Sequence, residues 1–205
     1  VLDGERDRLH AEQLPEEAAA AGAGLNADQL EDRAHRAWQA GRLDEAAGLF
    51  RGAARQRRAE GRPGEFNQEI RAALCLAQAG RDEEARPVLE QALVYDWAAA
   101  GIWNDRRMSE HAAMALLHRA ARTGVDEFRR VWDRAVACAK RLGDPFPSIY
   151  PNQEELLDLT IRLGLPGHCR QVLDQVRARS HRLDPVTRAK VDAAQAFLAA
   201  ASPQR

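Results

Sequence analysis

Residues 34–54 read AHRAWQAGRLDEAAGLFRGAA, and this stretch decides the fold. Ala34, Ala37 and Trp38 recur at the spacing of one helical face, with Leu30 one turn earlier. Behind Gly41, the residues Leu43, Ala46, Ala47, Phe50, Ala53 and Ala54 form a second such face. Gly41 stands where one helix must end in a left-handed residue before the next begins. The stretch therefore predicts helix, tight turn, helix, the leading helix running from about Asp28 to Ala40.

The pattern recurs along the chain. Gly80, Gly124 and Gly164 follow at intervals of 39, 44 and 40 residues, each between two apolar-periodic segments. Ala72, Ala73, Leu76 and Ala77 precede Gly80, and Ala85, Val88, Leu89, Ala92 and Leu93 follow it. Ala113, Leu116, Leu117 and Ala120 lead to Gly124; Phe128, Val131, Trp132, Ala135 and Val136 come after, with one residue fewer behind the turn. Leu156, Leu157, Thr160 and Ile161 lead to Gly164, with Cys169, Val172, Leu173 and Val176 beyond. A last helix, Pro185 to about Ala200, starts behind Asp184, an N-cap followed by proline at the first helical position. It is expected to cover the exposed core of the fourth unit, as terminal repeats require.

The expected fold is thus all-α: an α-solenoid of about four helix-turn-helix units over residues 27–62, 66–97, 109–142 and 152–182, with a capping helix at 185–200. Residues 27–205 form the repeat domain. Residues 1–26 are an acidic lead-in, loosely packed or partly helical. Two joins are long. Residues 95–109 carry Tyr95, Trp97 and Trp103, expected to pack between units two and three; exposed, they would make interface anchors. Residues 143–152 hold three prolines and are expected to be non-helical, with Asn152 and Glu155 as a capping box that restarts the helix.

Composition narrows the function classes. The 205 residues carry a formal net charge of −1, no field that would gather nucleic acid or an anionic membrane. No run approaches the roughly 18 apolar residues of a membrane span. The first residues lack the basic and apolar regions of a signal peptide, so a cytoplasmic location is expected. The chain begins with Val1, which fits a domain excised from a larger protein or a trimmed product. Cys75, Cys138 and Cys169 are odd in number, far apart and set in apolar helical patterns, where a free cysteine behaves as a small hydrophobe.

The pattern Ala34-x-x-Ala37-x-x-x-Gly41-x-x-x-Glu45-Ala46-x-x-x-Phe50-x-x-Ala53 resembles a tetratricopeptide repeat, and Ala73, Leu76, Gly80, Glu84-Ala85, Leu89 and Ala92 repeat it. Units three and four match weakly: Phe128 and Cys169 replace the usual alanine, and Trp132 and Leu173 take the aromatic position. The spacing exceeds the usual 34 residues, as in divergent repeats of bacterial regulators. The resemblance implies that the first helix of each unit lines a concave groove that binds a protein or peptide. Placed that way, the groove holds Asp28, Glu31, His35 and Trp38, then Ile70, Leu74 and Gln78, then His111, Met114, His118 and Arg122, then Glu154, Asp158 and Arg162. His35, Trp38, Leu74, Gln78, His111, Met114, His118 and Arg122 are the expected partner contacts. Glu31 and His35 stand where chaperone-tail clamps have Lys and Asn, which argues against that ligand.

No P-loop, dinucleotide turn, H-E-x-x-H or nucleophile elbow occurs, so no catalytic residue, cofactor or metal is assigned. His111 and His118 are seven residues apart, about 10 Å along a helix, too far to share a metal with Met114. Arg51, Arg55, Arg58 and Arg62 form a stripe that could grip phosphates. The acidic lead-in offers those arginines a partner, and no interleaved aromatics accompany them. The expected function is a non-catalytic protein- or peptide-binding scaffold, a regulatory module of a larger bacterial protein. The alternatives are a self-associating structural element and an arginine-driven nucleic-acid adaptor.

Overall fold

A computed structural model describes residues 24–148, 150–179 and 184–201, the side chains of Trp103, Asn104, Tyr150, Pro151 and Arg179 excepted. Most of the predicted acidic lead-in therefore lies outside the described residues. Nine α-helices, and no strand, occur among the described residues: α1 (Ala27–Gln39), α2 (Leu43–Ala59), α3 (Glu65–Gln78), α4 (Asp82–Ala92), α5 (Met108–Thr123), α6 (Val125–Arg141), α7 (Tyr150–Arg162), α8 (Pro166–Arg179) and α9 (Pro185–Ala201). A short 3-10 segment, Trp103–Arg107, runs directly into α5. No helix is long and apolar enough to cross a membrane among these residues.

Local chemistry explains the boundaries. At the start of α1 the Asn26 side chain accepts from the Gln29 amide at 2.9 Å, while the Gln29 side chain accepts from the Asn26 amide at 3.0 Å. This reciprocal cap satisfies two donors that a bare helix end leaves open. At the other end the Gly41 amide donates to the Trp38 carbonyl and the Arg42 amide to the Ala37 carbonyl, both at 2.9 Å. The same pair of bonds closes α3 at Gly80 and α7 at Gly164. Gly124 differs: it alone separates α5 from α6 and serves as the N-cap of α6 at φ +148, a backbone conformation that residues with a side chain rarely adopt.

The predicted capping box at Asn152 is corrected. α7 begins at Tyr150, so Asn152 lies inside its first turn, 8% exposed, and does not cap it. Pro151 does not prevent this, because first-turn amides have no intrahelical acceptor and proline loses nothing there.

The described chain divides into two compact units between Leu116 and Leu117, inside α5. In the first, α2 packs against both α1 and α3, and α3 packs against α4. Leu49, Phe50, Ala53 and Ala54 of α2 are buried, each large side chain contributing roughly 1.5–3 kcal/mol of hydrophobic stabilisation. A Cβ added at Gly52 would meet Leu30 of α1 at 3.6 Å, an ordinary packing contact. Trp97 is fully buried, and Tyr95 stacks on Phe66 with ring centres 4.3 Å apart.

In the second unit α7, α8 and α9 pack against one another. Phe128, Val131, Trp132 and Ala135 of α6 are buried as their spacing predicts, whereas Val136 is 39% exposed. The edges of Phe146 and His168 meet the Trp132 ring at 5.3 and 4.9 Å. The fully buried Gln153 donates to the Pro147 carbonyl at 3.0 Å, tying the proline-rich join to α7. The Thr187 hydroxyl of α9 donates to Glu154, and Lys190 to Asp158 at 2.7 Å.

Candidate functional site

α1 and α3 lie side by side because both pack on α2, and their adjoining edges carry a row of reaching side chains. Glu31, His35 and Trp38 follow one another at one-turn spacing on α1; Arg71, Leu74 and Gln78 do so on α3. The Arg71 guanidinium donates to Glu31 and to His35 Nε2, the latter at 2.9 Å. One turn further on, the Trp38 indole donates to Gln78 Oε1 at 2.7 Å. Phe50 forms the base beneath: His35 meets it edge-on at 5.1 Å, Trp38 at 6.0 Å, and the Arg71 guanidinium lies 5.9 Å from its ring centre.

The lower end of this face is a charged seam. Arg57 reaches inward from α2 to Glu31 at 2.8 Å and Asp28 at 3.0 Å, and Arg62 holds Asp28 at 3.0 Å. Burial pushes the Glu31 carboxyl up, but the Arg71 charge and the hydrogen bonds from Arg57, Gln68 and Arg71 outweigh it and hold the group below its ordinary value. His111 on α5 is half-buried; that burial, with the charge of Arg71, lowers its pKa against the pull of Glu110.

Of the predicted contacts, His35, Trp38, Leu74 and Gln78 come together here. Trp38, His35 and Leu74 are half-buried, and Gln78 is exposed. Ile70 is fully buried and Met114 is 5% exposed, so both side chains serve the core instead of lining a surface. His118 and Arg122 belong to the second unit, where His118 Nε2 lies 2.9 Å from Glu155. Glu154 and Asp158, placed in the groove by the sequence, are occupied by α9. Arg71 and Arg57 were missed. Arg71 was legible in principle, since 71, 74 and 78 share a face at i, i+3 and i+7; the sequence pattern places the first position of that face one residue off, at Ile70, and the last correctly, at Gln78.

Two arginines of the stripe resolve into partners, Arg58 and Arg62. Arg58 binds Glu69 at 2.6 Å, and Arg62 binds Asp28 and Glu60. The predicted shielding of this stripe by the lead-in lies outside the described residues. The three thiols are buried, and burial pushes Cys75 up to about 12, leaving it a protonated, unreactive group. No protein-family model, no curated protein and no solved structure matches this chain.

Proposed function

We propose that the chain is a tetratricopeptide-like helical-repeat scaffold that binds another protein or a peptide through the α1–α3 face and has no catalysis of its own. The observation that carries this reading is Trp38, a half-buried indole whose polar atom is already bound by Gln78. Such a group presents apolar area to a partner without an unpaired donor to desolvate, and its ordering cost is met before binding. Leu74 extends the apolar strip, while His35 and Arg71 give it a polar edge. The repeated helix exits at Gly41, Gly80 and Gly164 support the repeat architecture.

The test is selection of peptides from a random display library on the wild-type chain, followed by affinity measurement on a Trp38→Ala/Leu74→Ala variant. Selected peptides are expected to lose about tenfold or more in affinity, the scale of losing an interface anchor. Peptides that bind both proteins equally, or a chain whose mass grows with concentration and selects no peptide, would overturn the reading in favour of another surface or of self-association.

A further inference from the structure

The back of the first unit carries a second surface. Between α2, α3 and α4 lies a cleft of about 240 Å³, lined by Arg51, Ala54, Arg55, Glu69, Ala73, Glu84 and Val88. Its floor is apolar: Ala54 and Ala73 are each 2% exposed, and Val88 is half-buried. The wall contributed by α2 holds Arg51 and Arg55, one turn apart and exposed. The opposite wall carries two carboxylates, and both are already satisfied. Arg58 binds Glu69 at 2.6 Å, and Arg81 grips Glu84 with two bonds of 2.6 and 2.7 Å. Among the described residues Arg51 and Arg55 meet no carboxylate within 4 Å, so the cleft is left with two uncompensated guanidinium groups on one side.

This arrangement discriminates between ligands. The volume falls below the roughly 300 Å³ at which small-molecule pockets begin, and suits one or two side chains. A nucleic-acid strand, charged about every 3.4 Å, would bring phosphates against Glu69 and Glu84 as well as the arginines. The lining also offers no aromatic ring for base stacking. A single carboxylate beside an apolar group avoids both problems, and paired guanidinium groups bind carboxylates with short, charge-assisted bonds.

We propose that this cleft docks a peptide segment in which an apolar and an acidic side chain lie three or four residues apart. The apolar group sits on Ala54, Ala73 and Val88, and the carboxylate is held by Arg51 and Arg55. The surface is separate from the α1–α3 face in its lining: α2 turns Arg51, Ala54 and Arg55 to the cleft and Phe50 and Arg57 to the face, and α3 turns Glu69 and Ala73 to the cleft and Arg71, Leu74 and Gln78 to the face.

Fluorescence anisotropy of a labelled peptide of Leu-Ala-Ala-Glu repeats on the full chain tests this. Binding is expected to weaken about tenfold or more in Arg51→Ala/Arg55→Ala, the scale of losing charge-assisted contacts. It is expected to weaken likewise in Val88→Asp and when Gln replaces Glu or Ser replaces Leu in the peptide, and to be unchanged in Arg36→Ala, an exposed arginine of α1. Both cleft variants alter surface or half-buried positions, and equal unfolding midpoints show that the fold is kept. No binding by wild type, equal affinity in Arg51→Ala/Arg55→Ala, or equal affinity for the Gln peptide overturns the proposal. Loss in Trp38→Ala/Leu74→Ala alone moves the peptide to the other face and also overturns it. So does an oligo-dT strand that outcompetes the peptide and needs the same two arginines, which would assign the cleft to nucleic acid.

Discussion

The indole of Trp97 donates to the Ser109 hydroxyl at 2.8 Å, and that hydroxyl donates in turn to the Ala92 carbonyl at 2.8 Å. Trp97 is fully buried and Ser109 is 2% exposed, so water has little access to either bond. Ser109→Ala strands a buried N–H and a buried carbonyl together, at an expected cost of about 1–3 kcal/mol. Chemical denaturation followed by tryptophan fluorescence measures it. An unchanged midpoint would show that the relay contributes nothing to the join between α4 and α5.

Glu31 makes the first unit acid-sensitive. Its folded pKa lies below the ordinary 4.5, because Arg71, Arg57 and Gln68 together overcome the opposing effect of burial. A carboxyl depressed on folding stabilises above its unfolded pKa, and that contribution disappears as the pH falls through the folded value. Stability is therefore expected to decline as pH drops below about 4.5. Glu31→Gln should be the less stable protein at neutral pH and should show a shallower decline in acid. Parallel pH profiles for the two proteins would remove Glu31 from the account.

Two glycines three residues apart give opposite expectations. Gly164 closes α7 at φ +65, where a side chain strains the backbone, and Gly164→Ala is expected to cost roughly 1 kcal/mol. Gly167 sits in the first turn of α8 with nothing within 4 Å of an added Cβ. Gly167→Ala removes freedom from the unfolded chain and is expected to stabilise by up to about 1 kcal/mol. Thermal unfolding of the pair reads the sign directly; shifts in the same direction would contradict the turn geometry.

The helices were legible because alanine and leucine recur at 3.6-residue spacing and because glycine marks helix exits of one geometry, at Gly61 and Gly143 as well as at Gly41, Gly80 and Gly164. Where two signals compete, the reading slipped. Three prolines in 143–152 suggested a break, yet Pro151 sits in the first turn of α7, where proline is tolerated. Half of the candidate face was also legible. His35, Trp38 and Gln78 do meet, with Leu74 one turn from Gln78, but a helical wheel gives the face of one helix without the rotation of its neighbour. That rotation brings Arg71 to Glu31 and leaves Ile70 in the core. Met114 shows the same limit: an apolar residue next to a polar stripe goes inward or outward according to packing that no single helix encodes.

The three sequestered thiols give the chain its own clock. Cys75 lies in the first unit, Cys138 and Cys169 in the second, and all three are buried. A thiol reagent reaches each sulfur only during an excursion that opens the surrounding helices, so its labelling rate counts those excursions. Mass spectrometry after pulses of reagent would separate the opening of one half from that of the other. The two halves would then reveal, without any engineered probe, whether they melt as one cooperative body or as two.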